Sequence, residues 1–245
     1  MAQYQTDALV LGVKNWGEAD KIVTLLSREQ GKIVAAAFGC RRPKSPLAGP
    51  LQMFNEISVQ LSKGDKLDTV RQCSIKRINR DMSRDFSVMA YGAFVAELAI
   101  NLSVEGFPQG EMYNRLLEIF AAFGQRNPRV AALGAAFQLL EFSGMQLSYE
   151  RCIRCNRDIE GDAYFSIEAG GAVSQDMVQA DDHDIVEYPA AMRTFIGQLL
   201  RLNWQEKPSF KVSGKIMIQA EDLILRYLYH VFGKPMKSLQ FIRQL

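Results

Sequence analysis

Glu56-Ile57-Ser58-Val59-Gln60-Leu61-Ser62 is the stretch whose reading decides the fold. Ile57, Val59 and Leu61 fall on one side of an extended chain, and Glu56, Ser58 and Gln60 on the other. That period of two marks a strand with one face in a core. Lys63-Gly64-Asp65-Lys66 follows as a turn, and Leu67 to Ile78 reads as the next strand. Upstream, Lys21 to Ser27 and Lys32 to Phe38 are joined by Arg28-Glu29-Gln30-Gly31, a short Gly-ended hairpin loop. Ala8 to Lys14 is a compact apolar run before them. Five short strands in about 75 residues, with tight turns and no helical period, predict a small barrel of the OB type.

The period changes after residue 80. Met82 to Leu102 is dense in Ala, Leu, Phe and Met and reads as a buried helix. Met112, Leu116, Ile119, Phe120 and Phe123 share one face of a second helix, which Gly124 stops. Asn127-Pro128 is an N-cap followed by Pro at the first helical position. Val130, Leu133, Phe137 and Leu140 line that third helix, ended by Gly144. Pro189 opens a fourth, with Met192, Phe195, Ile196 and Leu199 on its face. A last long helix keeps Ile216, Ala220, Leu223, Ile224, Tyr227, Leu228 and Val231 in register before Gly233 and Pro235. The predicted fold class is α+β: an N-terminal five-stranded OB-type β-barrel over 1–80 and a helical bundle over 81–245. A zinc-finger-like loop that has lost half its ligands interrupts the bundle at about 149–187.

With 48% hydrophobic and 23% charged residues, the composition is that of an ordinary globular protein. No apolar run of about 18 residues is present, so no membrane partner is expected. Met1 to Asp7 is polar, without a signal-peptide core, and the four cysteines fit reduced thiols; both point to the cytoplasm. The net charge of +2 conceals an asymmetry: residues 1–80 hold 13 Lys and Arg against 7 Asp and Glu, whereas the remainder is net acidic. A basic part on one side of a chain calls for an anionic partner.

The run Phe38-Gly39-Cys40-Arg41-Arg42-Pro43-Lys44 sharpens that expectation. Gly39 and Pro43 break the strand and put the charges on a loop. An aromatic ring stacks on a base and guanidinium groups pair with phosphates. A solvated loop with Phe38 in the core is the bland alternative, and the barrel and its charge weigh against it. The nucleic-acid contacts expected on this barrel are Lys32, Phe38, Arg41, Arg42, Lys44, Lys63, Lys66, Arg71, Arg77 and Arg80.

Cys152-Ile153-Arg154-Cys155 has the spacing of half a zinc site. Eighteen residues separate Cys155 from Ser174-Gln175-Asp176-Met177, so Ser174 and Met177 stand where a second pair of cysteines would complete it. Serine is a poor zinc ligand and a thioether a weak, uncharged one. His183, among Asp181, Asp182 and Asp184, is the one substitute at hand. The expectation is a loop without a structural zinc and a chain without a cofactor. Residues 158–187 hold nine acidic residues and no Lys or Arg, so this segment repels DNA. No P-loop, G-x-S-x-G or H-E-x-x-H occurs, and His183 and His230 are the only histidines. No enzyme is expected. A Mg²⁺ nuclease built on Asp181, Asp182 and Asp184 is weighed and set aside, because such runs are ordinarily solvated loops.

Several stretches, in this order and spacing, carry a resemblance to a known family. They are Thr6 to Leu11, Gly17-Glu18-Ala19-Asp20-Lys21-Ile22-Val23-Thr24-Leu25, Gly31-Lys32-Ile33 and Gly39-Cys40-Arg41-Arg42-Pro43-Lys44-Ser45. The C-x2-C loop, Phe165-Ser166 to Gly170-Gly171, and Lys237-Ser238-Leu239 complete the series. Over essentially its full length the chain resembles the bacterial RecO family of recombination mediators. The resemblance implies an OB barrel, a helical bundle and a loop that binds zinc in many members. It also implies binding to single- and double-stranded DNA, annealing of complementary strands, and action with RecR to load RecA onto strands coated by single-stranded DNA-binding protein (SSB). Contact with the acidic, hydrophobic C-terminal tail of SSB and a place at the nucleoid follow from the same likeness. Arg126 and Arg129, at a helix start, are candidates for the tail's carboxylates. A generic OB-fold binder of nucleic acid, RNA included, with the bundle as a dimerisation module, is the other reading.

Overall fold

Gln3–Trp16 forms a single 14-residue strand, β1, twice the length of the apolar run that announces it. Its first half is polar on the outward side and pairs antiparallel with β4 (Glu56–Ser62), Gln3 opposite Ser62 and Leu9 opposite Glu56. Its second half pairs with β2 (Asp20–Ser27), from Ala8 opposite Ser27 to Trp16 opposite Asp20, with a bulge between Val10 and Gly12. The bulge bends β1 so that one strand serves two sides of the sheet. β3 (Gly31–Ala37) pairs with β2, and β5 (Asp68–Arg77) with β4. A short parallel register, Ala35 with Asp68 and Ala36 with Thr69, closes the barrel in the order β1-β2-β3-β5-β4. This is the OB order, as expected. The structure is a computed structural model that describes the chain except at Met1, Arg84, Gln146, 207–210 and 243–245 and the side chains of Ser83 and Phe241.

Alternation fills the barrel. Ala8, Val10, Val23, Leu25, Ile33, Ala35, Ile57, Val59, Leu61 and Val70 form its interior, with Cys40 and Leu51 from the segment after β3. Leu9, Leu11 and Leu26 point the other way and are buried as well. α1 (Phe86–Leu102) packs on β1, and the Gly12 backbone approaches Ile100 closely. That cover explains why Ala8 to Leu11 is apolar without a break. The helix starts later than its composition indicates: Arg80–Ser83 is a 3-10 turn, and the Asp85 carboxylate caps α1 by accepting N–H bonds from Ser87 (2.7 Å) and Val88 (3.1 Å). α2 (Gly110–Phe123) completes this unit, with Phe120 against Phe54 and the Tyr113 hydroxyl donating to the buried Glu56 carboxylate at 3.1 Å. The compact unit therefore runs from Met1 to Pro128, joined by Gln240–Leu245. The division at residue 80 read from the sequence falls where β5 gives way to helix.

The second unit is Arg129–Leu239. α3 (Pro128–Phe142) is buried on all sides from Ala131 to Leu140, and Gly144 ends it at φ 71°. α4 (Ala190–Leu200) and α5 (Gly214–Phe232) pack together, α5 capped by Ser213 and closed by Gly233 at φ 65°. Gln138 is buried inside α3. Its Nε2 donates to the carbonyls of Leu199 and Leu202, 3.0 Å each, and its Oε1 accepts the Trp204 Nε1–H at 2.7 Å. The insertion is more ordered than its loop-like sequence indicates. β6 (Ala163–Ser166), β7 (Gly171–Val173) and β8 (Ile185–Tyr188) form a sheet in the order β7-β6-β8. Phe137, Tyr149, Phe165 and Tyr188 form a continuous series of ring contacts beneath it. A short α6 (Leu239–Ile242) follows. Among the described residues no helix is long and apolar enough to cross a membrane.

Candidate nucleic-acid interface

The loop after β3 is tied to the turn between β1 and β2. Gly39 N–H donates to the Asp20 carboxylate at 2.7 Å, Arg41 N–H to the Ala19 carbonyl at 2.8 Å, and the Arg41 guanidinium to the Gly17 carbonyl at 3.0 Å. Gly39 makes the reversal at φ 65°, a conformation that leaves Phe38 outside the barrel while Cys40 turns in. Burial pushes the Cys40 thiol up; burial, with Cys40 beside it, pushes the Cys73 thiol to about 11. Cys40 lies in the barrel core, and Cys73 packs against it, partly buried. Phe38 is 53% exposed, so the bland expectation of a core phenylalanine fails. Arg41, Arg42 and Lys44 are exposed, and none has a carboxylate partner among the described residues.

One residue of this tip escapes the sequence reading. Trp16, at the end of β1, is 44% exposed, and its ring lies 5.9 Å from that of Phe38, centre to centre, at 46°. The register signals it: Trp16 pairs with Asp20 and Lys21 with Ala37, which brings the ends of β1 and β3 to opposite sides of β2's first residues.

The other expected contacts are dispersed. Lys32 sits six residues before Phe38 on β3, about 20 Å away along an extended strand. Its Nζ is 3.9 Å from the Glu105 carboxylate, and its backbone N–H donates to the Val104 carbonyl. A side chain on Gly31 beside it would run into the carbonyls of Val104 and Phe107. Lys63 lies 3.4 Å from Asp68 and over the Tyr4 ring. The Arg71 guanidinium donates to the Ser62 hydroxyl at 2.7 Å. Arg77 and Lys76 share Glu56, at 3.8 and 3.6 Å, and Lys76 also holds Asp7, whose hydrogen bond raises the lysine's pKa. Lys66, on the β4–β5 turn, and Arg80, in the 3-10 turn, are exposed. The structure thus gathers Phe38, Arg41, Arg42 and Lys44 and scatters the rest.

In the second unit the C-x2-C knuckle faces the segment the spacing indicates. The Cys152 sulfur accepts the Ser174 N–H at 3.4 Å, and the Cys155 sulfur accepts the Arg157 Nε–H at 3.3 Å. Burial pushes the Cys152 thiol up, but the Ser174 N–H, the backbone N–H groups of Cys155 and Arg154 and the Ser174 hydroxyl outweigh it and bring it to about 6. Protein donors stabilise this thiolate. The zinc that the family resemblance implies does not fit the side chains present. No group of three or more His, Cys, Asp and Glu converges among the described residues. Asp182, beside His183, is taken by the Arg154 guanidinium in a bidentate pair. Arg154 also donates to the Met177 carbonyl, and Arg157 pairs with Asp176. Two cations cross from the knuckle to the segment that would carry the missing ligands.

Arg126 is half-buried, and burial lowers its pKa. Arg129 holds Glu221 of α5 in a bidentate pair.

The sequence profile described as recombination protein O, N terminal, matches residues 1–79, and that of its C-terminal part matches residues 83–240. The chain belongs to the RecO family. It is 34% identical to DNA repair protein RecO of Pelotomaculum thermopropionicum over 242 residues, covering 99% of this chain and 94% of that one. With DNA repair protein RecO of Symbiobacterium thermophilum it shares 29% over 247 residues, 99% of this chain and 97% of the other. The RecO protein of Bifidobacterium animalis subsp. lactis is 27% identical over 249 residues, 99% of this chain and all of that one. The RecO profiles meet between β5 and α1.

Proposed function

We propose that this RecO-family chain binds DNA through the tip of its barrel, with Arg41, Arg42 and Lys44 on phosphates and Phe38 against a base. Family membership gives it a role in DNA repair and recombination. The observation that carries the site is the exposure of three cations without carboxylate partners among the described residues, on a loop locked by Asp20, at the end of a closed OB barrel. Arg71, Lys66 and Arg80 are exposed elsewhere in the same unit and add to its positive charge. Lys32, Lys63 and Arg77 have acids of their own beside them, so they add little net positive charge to the barrel.

Within that role the chain anneals complementary strands and, with RecR, loads RecA onto SSB-coated single strands. Two features support this: the family resemblance, and a basic barrel joined to an acidic remainder, which lets one part gather two polyanions while the other leaves them free to pair. The work is that of a mediator, in which no bond is made or broken, at the nucleoid. Arg126 and Arg129 are the contacts for the SSB tail, and Arg129 would have to release Glu221 first. The insertion holds its shape without a structural metal, because guanidinium–carboxylate pairs span the place of the missing ligands.

Charge reversal at Arg41 and Arg42 tests the site. Arg41→Glu with Arg42→Glu should weaken DNA binding and reduce the slope of log K against log salt by about 2, one unit for each phosphate that is no longer neutralised. A slope equal to that of the unaltered chain would exclude the loop.

A further inference from the structure

We infer that the Trp16–Phe38 ring pair is a stacking platform for unpaired bases, which makes the barrel tip selective for single-stranded DNA over duplex. This rests on the DNA-binding reading above. Both rings are about half exposed, on a tip whose neighbouring cations are exposed too. They are also held in place: Asp20 and Arg41 tie the loop that carries Phe38 to the turn that follows Trp16. The platform therefore exists before DNA arrives and costs little ordering on binding.

The geometry says how a base is taken. A base sandwiched between the rings would need them parallel and about 7 Å apart, twice the ~3.4 Å rise of stacked bases. At 5.9 Å and 46° the rings already touch, so the base stacks on an outer face. Inside a duplex every base face is covered by its neighbours. Only a single strand or an end offers a free face, whereas phosphates are offered by both. Arg41, Arg42 and Lys44 thus bind either form, and the ring pair distinguishes them.

The chain has two tryptophans, and the other, Trp204, is buried, so quenching of tryptophan emission by DNA reports Trp16. The experiment uses the full chain, fluorescein-labelled oligo(dT), and the same strand annealed to oligo(dA). Oligo(dT) should quench the emission and the duplex should not, and Trp16→Phe should abolish the quenching. Trp16→Ala with Phe38→Ala should weaken oligo(dT) binding by about tenfold or more and duplex binding by a much smaller factor. Binding of oligo(dT) seen by anisotropy without quenching, or equal losses on both probes in the double variant, would overturn the platform and leave the basic loop standing. If neither probe bound the unaltered chain at low salt, the DNA-binding reading would fall and the platform with it.

Discussion

Gln138 does for α4 what no residue of α4 does for itself. Its amide answers the carbonyls of Leu199 and Leu202 at that helix's end and fixes the Trp204 indole. Gln138→Leu should remove these hydrogen bonds from an apolar interior and cost about 1–3 kcal/mol, read as a lower urea midpoint at unchanged m-value. From the sequence, Gln138 is a polar residue in the middle of an otherwise apolar helical run, with nothing to say which carbonyls it meets. Trp16 is opaque for a related reason: the apolar pattern that reveals a strand ends before it, at Lys14, and exposure is not written in periodicity. Phe38 and the cations after it are legible, because Gly39 and Pro43 announce a loop without help from distant residues.

At the scale of elements, β2, β3 and β4 can be read almost to the residue, since each has one face in the core and a glycine or charged turn at its end. The β6–β8 sheet cannot be: its strands are three or four residues long, too short to show a period. Nor can the fate of Lys32, Lys63 and Arg77, whose acids come from elsewhere in the chain, at Glu105, Asp68 and Glu56. The insertion yields a pH prediction. Hydrogen bonds from Arg157 and Arg154 hold the Asp176 and Asp182 carboxyls below the usual range. A carboxyl depressed in the folded state lends stability above its ordinary value and loses it as pH falls through the depressed one. Amide exchange in β6–β8, corrected for intrinsic rates, should therefore accelerate below about pH 4, beyond any loosening that protonation of the Cys152 thiol brings near pH 6. Arg154→Ala with Arg157→Ala should produce the same loosening at neutral pH. EDTA should change nothing, and loosening by EDTA would mean that a metal holds the knuckle.

For the whole molecule the main division is electrostatic. A barrel unit rich in Lys and Arg is followed by a chain with nine acids and no Lys or Arg over 158–187, so positive potential goes with the first and negative with the second. The sequence shows this balance as plain counting. It shows less well that α1 and α2 belong with the barrel, because that follows from α1 packing on β1 and α2 against α1 and β2. The parallel register of β3 and β5 has a consequence for how the barrel fails. Every other pair of neighbouring strands is laced along most of its length, whereas Ala35–Asp68 and Ala36–Thr69 are the residues in register here. Under mild denaturant those amides of Ala35 to Ala37 and Asp68 to Val70 that face this seam should exchange first, by a local parting that leaves the antiparallel pairs intact. What remains is an open sheet with two bare edges, each able to recruit the matching edge of a second molecule, so crowding and concentration, rather than heat, decide whether a parted barrel recloses or becomes an aggregate.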